Sequence, residues 1–178
     1  MIRHLSPHDF AAVLAVQRES PGAAQWSEAD YRRLAEDPGG LILVADASGG
    51  VAPAAEDAAE PEPDHEARTP ADLSSPALAG FAAFHRVLDE AELRNLAVLP
   101  RYRRRGLGRA LLDAAHQRLW QLGVKRVYLE VRAGNDPAIQ LYLAAGYHPQ
   151  SIRKGYYQAP DENACVLAIS RTRSPEGD

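Results

Sequence analysis

Apolar positions along the chain switch repeatedly between a helical and a strand period. Phe10, Val13, Leu14 and Val16 form the stripe of a helix that Ser6 caps and Pro7 opens, running to about Arg18. After the breaker Ser20-Pro21-Gly22, Ser27 with Asp30 three residues on predicts a short second helix to about Glu36. Trp26, just before that cap, reads either as a hydrophobic staple onto Tyr31 or as part of the wall of an acceptor pocket. Ile2–Leu5 has the look of a short edge strand, and Leu41–Ala45 that of a strand buried on both faces. Leu78–Val87 and Ala91–Val98 pair as antiparallel strands around a turn at Asp89-Glu90. The second strand is expected to carry Leu93, Asn95 and Ala97 on one face, with Arg94, Leu96 and Val98 on the other.

The second half of the chain repeats the alternation. Leu107, Leu111, Ala115, Leu119 and Leu122 predict a helix stopped by Gly123, and Val127–Val131 a central strand that encloses Glu130 in an apolar run. Asn135 caps the next helix, Pro137 lies in its first turn and Gly146 closes it. Strands over about 147–153 and 164–171 follow, joined by a loop that carries Tyr156, Tyr157 and Pro160.

Composition adds one large interruption. From about residue 47 to 77 the chain is rich in Ala, Pro and acids, and Pro53, Pro61, Pro63, Pro70 and Pro76 break any regular element. It reads as a disordered loop inserted between two strands, whose length costs little closure entropy; a lid or a partner-binding segment is the other reading. Residues 172–178 read as a disordered tail, which leaves one domain over 1–171. At 46% hydrophobic content that domain can bury a real core.

The net charge of -4 is unevenly spread. Residues 47–79 hold seven acids and one base, which leaves 19 bases against 17 acids elsewhere, a remainder of +2 concentrated near Arg101–Arg109. A local anion site fits that distribution better than a nucleic-acid surface. The single cysteine, Cys165, provides neither a disulfide framework nor a thiolate ligand set, and six histidines at non-ligand spacings give no reason to expect a metal. The start of the chain has no long apolar run and no segment approaches a membrane span, so a cytoplasmic protein without membrane contact is expected, with a monomer favoured.

The chemistry is concentrated in the turn Arg103-Arg104-Arg105-Gly106-Leu107-Gly108. It joins a strand end to a helix start, where backbone N–H groups without intrahelical partners converge and the helix dipole adds positive potential. Glycines there let a pyrophosphate approach the main chain. A dinucleotide fingerprint fails because Leu111 stands where a third glycine belongs, and a Walker motif fails for want of Gly-Lys-Ser/Thr.

Taken with Asn95-Leu96-Ala97-Val98, Leu129-Glu130-Val131-Arg132, Asn135, Ala138-Ile139-x-Leu141-Tyr142 and Gly146-Tyr147, that turn resembles the acetyl-CoA core of the GNAT N-acetyltransferase superfamily. Within it, Glu130, Asn135, Tyr142 and Ile152–Tyr157 are similar to the ribosomal-protein alanine N-acetyltransferases. The resemblance implies an α+β sandwich with a mixed, mostly antiparallel central sheet of six to seven strands and about four helices. It implies that main-chain groups of Leu96, Ala97 and Val98 hold the pantetheine arm and that Arg103, Arg104, Arg105, Gly106, Leu107, Gly108 and Arg109 cradle the pyrophosphate. Arg101, Arg103, Arg104 and Arg105 would lie near the adenosine 3′-phosphate, and Asn135 would contact acetyl-CoA beside its plain role as a helix cap. Glu130 is implied as the general base, directly or through water, and its apolar strand would raise its pKa; pairing with Arg132 or Arg126 is the bland alternative. Tyr142 is implied as the general acid, and Tyr156 and Tyr157 line the acceptor channel. The expected acceptor is the N-terminal α-amino group of a protein such as a ribosomal protein; a small amine or amino acid, or a non-catalytic acetyl-CoA-binding module, are the alternatives.

Overall fold

The computed structural model describes residues 1–47, 77–158 and 160–171. The expected disordered loop and tail lie outside the described residues, apart from Ala47 and Ala77, which are joined by a hydrogen bond from Ala47 N–H to Ala77 C=O (2.7 Å).

Strands β1 (Ile2–His4), β2 (Gly40–Asp46), β3 (Leu78–Val87), β4 (Glu90–Val98), β5 (Arg126–Arg132), β6 (His148–Gln158) and β7 (Asp161–Ser170) form one sheet in the order β1-β2-β3-β4-β5-β7-β6. All neighbours are antiparallel except β4 and β5, whose parallel pairing needs a crossover. Helix α3 (Leu107–Gln121) supplies it. Helices α1 (Phe10–Arg18) and α2 (Glu28–Glu36) bury Phe10, Val13, Val16, Tyr31 and Leu34 on one face of β2–β4. On the other face α3 and α4 (Asp136–Ala144) cover Leu43, Phe84, Leu93, Leu129 and Val131, with Leu111, Leu119 and Tyr142 in that core. The α+β architecture expected from the resemblance is the one observed. Among the described residues no helix is long and apolar enough to cross a membrane.

Caps and turns follow local chemistry. Ser27 accepts from Asp30 N–H while Asp30 reaches back to Ser27 N–H (3.0 Å), and the Trp26 and Tyr31 rings meet at 5.1 Å, so Trp26 makes the staple contact.

Four sequence expectations are corrected. The β3–β4 turn is Leu88-Asp89, one residue early, with Leu88 at a left-handed φ of 56°. Leu122 lies past the end of α3 and is exposed, while Leu112 and His116 take its place in the core. Tyr156 and Tyr157 belong to β6, whose hairpin with β7 extends to Gln158↔Asp161, instead of to a loop. In β4, Ala83 pairs with Asn95 but Phe84 with Leu93, so Arg94 is an extra residue that reverses the side-chain alternation. Leu93 therefore packs under α3, whereas Ala97 faces the α1/α2 core and Asn95 bonds Tyr31 of that layer.

His116 gives the core a pH signature. Its Nε2 lies 2.8 Å from the Tyr147 hydroxyl, and burial lowers its pKa to about 4, with Asp113 opposing and Arg109 assisting. An unfolded histidine titrates near 6.5, so stability from this group is full above that value and declines as pH falls towards 4. Lowering the imidazole from its ordinary value to about 4 sets the full loss at about 3 kcal/mol. Asp9, held near 2 because hydrogen bonds from Arg3 and Ser6 outweigh its burial, acts only below this window. Urea unfolding at pH 7 and pH 4.5 should show the decline in the parent chain and a flatter profile in His116→Gln.

Candidate active site

Beyond Leu93↔Leu129 the parallel pairing of β4 and β5 ends, and the two strands diverge. On the β4 lip, Leu99 N–H donates to Ala79 C=O (2.9 Å) and Ala97 C=O faces Gly80, so both point to β3. Strand alternation then turns Leu96 and Val98 main-chain groups towards the split, where no β5 ladder meets them. The Val98 carbonyl already accepts from Arg103 Nε (2.9 Å) and Ser20 Oγ (3.3 Å). What is left at this lip is the main-chain pair of Leu96 and the Val98 N–H.

The Arg/Gly turn closes the far end of the split. Ala110 N–H makes the first helical bond, to Gly106 C=O, so the N–H groups of Leu107, Gly108 and Arg109 precede the helical ladder. Gly106 adopts φ 78°, and a Cβ there would meet nothing within 4 Å; Arg104 is also left-handed, at φ 59°. These residues fit a diphosphate: open space in front of convergent donors at a helix start. Gly108 serves packing as well, since a Cβ there would stand 3.0 Å from Leu141 Cδ2 of α4.

The arginines divide by role. Arg101 pairs with Glu19 (3.4 Å) and stacks on Tyr102, Arg105 lies over the same ring, and Arg103 ties the turn to Val98 and to Ser20. Arg109 bonds Asp113 and the Ala144 carbonyl, fixing α3 to the end of α4. Arg104 remains as the guanidinium that these contacts do not engage.

Glu130 sits on the β5 lip. The strand alternates instead of running apolar: Val127, Leu129 and Val131 enter the core, while Tyr128, Glu130 and Arg132 face the sheet side that α1 and α2 leave uncovered. The expected apolar enclosure of Glu130 is therefore not found. Its carboxylate pairs with Arg153 of β6 at 2.6 Å, and neither Arg132 nor Arg126 is its partner; Arg132 bonds Glu162 (3.1 Å) and Arg126 bonds Gln150. Arg153 stacks on Tyr156, and Tyr156 stands edge-on to Tyr157 at 5.1 Å. The nearby Glu130 carboxylate raises the Tyr156 phenol pKa, whereas burial is the main cause for Tyr157.

Tyr142, on α4, is buried against Tyr147 (5.8 Å between rings), and burial, with a smaller contribution from Tyr157, raises its pKa, which keeps it protonated at neutral pH. Asn135 caps α4 through Oδ1, which accepts from Ala138 N–H (3.3 Å), while its Nδ2 faces Gly22 of the α1–α2 loop. A groove of about 340 Å³ opens beside Glu130 on the uncovered face, lined by His85, Glu90, Glu92 and Tyr128 among others. The structure thus groups Glu130 with Arg153, Tyr156 and Tyr157 of β6, while Tyr142 lies in the core under α4 and makes no hydrogen bond to Glu130. Sequence reading missed Arg153 as the partner of Glu130, and it missed that Gln17, Asn95 and the Tyr31 hydroxyl bond one another in a buried polar network. The signal for these was a polar side chain inside an apolar pattern. Among the described residues no group of three or more His, Cys, Asp and Glu side chains is placed to hold a metal.

Known proteins resemble this chain in sequence and in fold. The family model described as "Acetyltransferase (GNAT) family" matches residues 12–147. The [ribosomal protein bS18]-alanine N-acetyltransferase of Escherichia coli K12 is 47% identical over 94 residues, which cover 52% of this chain and 64% of that relative. A putative [ribosomal protein bS18]-alanine N-acetyltransferase of Bacillus subtilis is 37% identical over 93 residues, 52% of this chain and 62% of its own. In each case the chain spans less than two thirds of the relative's length. The crystal structure of the ribosomal-protein-S18-alanine N-acetyltransferase from Escherichia coli superposes with a TM-score of 0.75 at 29% identity, covering 100% of this chain and 97% of that one. Ard1 from Thermoplasma volcanium, at 23% identity and a TM-score of 0.74, shows the same fold.

Proposed function

The chain belongs to the acetyltransferase (GNAT) family, and from that premise we propose that it transfers acetyl from acetyl-CoA directly to the N-terminal α-amino group of a protein, with a ribosomal protein as the acceptor class. The observation that carries the reading is the divergence of β4 from β5 beyond Leu93, with unpaired main-chain groups on one lip and Glu130 on the other. The identity to the bS18-alanine N-acetyltransferases supports the acceptor class.

In this reading the bound acetyl-CoA supplies an activated thioester. Leu96 main-chain groups align its pantetheine arm, the N–H groups from Arg104 to Arg109 hold its diphosphate, and Asn135 contacts it from the start of α4. The Val98 N–H polarises the thioester carbonyl as an oxyanion donor. Glu130 accepts the proton that the ammonium loses, directly or through one water, and Tyr142 returns a proton to the departing sulfur. A free α-amine has a reference pKa of about 7.7–8.0, so the base only completes a deprotonation that is partly made at pH 7. Glu90, Glu92 and Glu130 around the groove favour a cationic acceptor, and in this reading Trp26, Tyr156 and Tyr157 contact the acceptor peptide outside that groove.

The test is an acceptor panel. Incubated with acetyl-CoA and an alanine-starting peptide library, the protein should release coenzyme A thiol and acetylate the peptide α-amine. Faster turnover of polyamines, aminoglycosides or free amino acids would replace the peptide reading with a small-amine one. Thiol release unaffected by every amine would make the chain a binding module.

A further inference from the structure

Three buried polar side chains lie between the β4 lip and the loop that joins α1 to α2. Asn95 Nδ2 donates to Ala24 C=O (2.9 Å), and Ala24 N–H donates to Asn95 Oδ1 (3.2 Å). Gln17 treats Trp26 the same way: its Nε2 donates to Trp26 C=O (2.9 Å) and its Oε1 accepts from Trp26 N–H (3.0 Å). The Tyr31 hydroxyl links the two amides, accepting from Asn95 Nδ2 (2.8 Å) and donating to Gln17 Oε1 (2.6 Å). All three residues are almost fully buried, at 4% exposure for Gln17, 5% for Asn95 and 0% for Tyr31.

Such a network is costly unless every member is satisfied, and a packed apolar trio would fill the same volume without that demand. What it does that apolar residues could not is hold main chain. Each amide seizes the N–H and C=O of one loop residue, Ala24 and Trp26, as a neighbouring strand would. Asn95 immediately precedes Leu96 on the strand that lines the split, and the same loop passes Gly22 in front of Asn135 on the opposite lip. One strand residue therefore couples the position of the loop to the position of the cofactor edge. The Trp26 ring, staple to Tyr31, is oriented by the same contacts.

We propose that Gln17, Tyr31 and Asn95 are positioning residues, a buried amide clamp that holds the Ala24–Trp26 main chain as a preformed wall for the acceptor, in fixed relation to the Leu96–Val98 edge. The inference rests on the acetyl-transfer reading given above. The clamp bonds Ala24 and Trp26 and none of the Leu107, Gly108 and Arg109 N–H donors, so its expected effect falls on acceptor binding more than on the diphosphate.

Tyr31→Phe removes only the linking hydroxyl and keeps the ring between Trp26 and Phe81. Gln17→Met removes the acceptor of Trp26 N–H at similar volume. In both variants the KM for an alanine-starting peptide should rise at least fivefold, with the KM for acetyl-CoA and the rate of acceptor-independent thioester hydrolysis within twofold of the parent. Unchanged peptide KM, or equal rises in both KM values, overturns the proposal, because a purely structural trio would lower the melting temperature without separating the two. Amide hydrogen exchange on the full chain reads the clamp without any substrate. Trp26 N–H should exchange slowly in the parent and at least tenfold faster in Gln17→Met, and equal rates overturn the clamp. A parent chain that acetylates no peptide fails the functional reading instead, and that failure is seen before any variant is compared.

Discussion

Replacing Glu130 with Gln is expected to lower kcat at least tenfold and leave the affinity for coenzyme A within twofold. The amide has the carboxylate's shape and cannot take a proton, and positioned proton transfer is generally worth 10²- to 10⁴-fold. The lower bound is chosen because an α-amine is already partly neutral near pH 7. For the same reason the deficit should shrink as pH rises through about 8, where the amine deprotonates by itself. The substitution breaks the 2.6 Å pair with Arg153, whose side chain is 55% exposed, so the freed guanidinium is solvated. Exposed pairs contribute about 0–1 kcal/mol, and the melting temperature should hardly move. Tyr142→Phe is expected to show the same separation, since burial keeps the phenol protonated and Phe keeps its packing on Tyr147. Rates equal to the parent in both variants, measured at saturating acetyl-CoA, would remove the assigned roles.

The order of elements, their approximate ends and the position of the Arg/Gly turn were legible because each is set by local chemistry. Ser27 and Asp30 cap a helix wherever that tetrapeptide stands, and Gly123 and Gly146 end helices at φ 85° and 91°. Long-range geometry was not legible. Alternation alone cannot reveal that Arg94 is an extra residue, because the bulge is a property of the β3–β4 register, and one inserted position put Leu93 and Asn95, expected on one face, on opposite faces. Glu130 looked enclosed because its neighbours in sequence are apolar, yet strand alternation sends them to the other face and leaves Glu130 to Arg153, 23 positions away. The amide clamp joins residues up to 71 positions apart, and local pattern carries no information about such pairs. What pattern could have offered is a flag: Gln17 and Asn95 are polar side chains at apolar positions, and buried polar groups need partners.

The diphosphate cradle is best tested by a matched pair, Gly106→Val and Gly123→Val. Both glycines are left-handed, at φ 78° and 85°, they stand at opposite ends of α3, and a Cβ at either meets no atom within 4 Å. With room for the Cβ at both sites, the shared cost is backbone strain, on the order of 1–3 kcal/mol, and thermal melts should show similar losses. At Gly123 nothing else changes. At Gly106 the turn either keeps its strained conformation with a side chain standing in the space before the N–H groups, or relaxes and swings Leu107, Gly108 and Arg109 away from their common point. Both routes weaken the cradle, so the dissociation constant for coenzyme A should rise at least tenfold, about 1.4 kcal/mol, in Gly106→Val and stay within twofold in Gly123→Val. Titration calorimetry distinguishes the outcomes, and equal affinities in the two variants would refute the cradle. Repeating it with 3′-dephospho-coenzyme A separates the two phosphate groups. A tenfold ratio that persists belongs to the diphosphate at the helix start, whereas one that vanishes moves the contact to the 3′-phosphate and to Arg104, whose left-handed main chain would then be the feature that Gly106 supports.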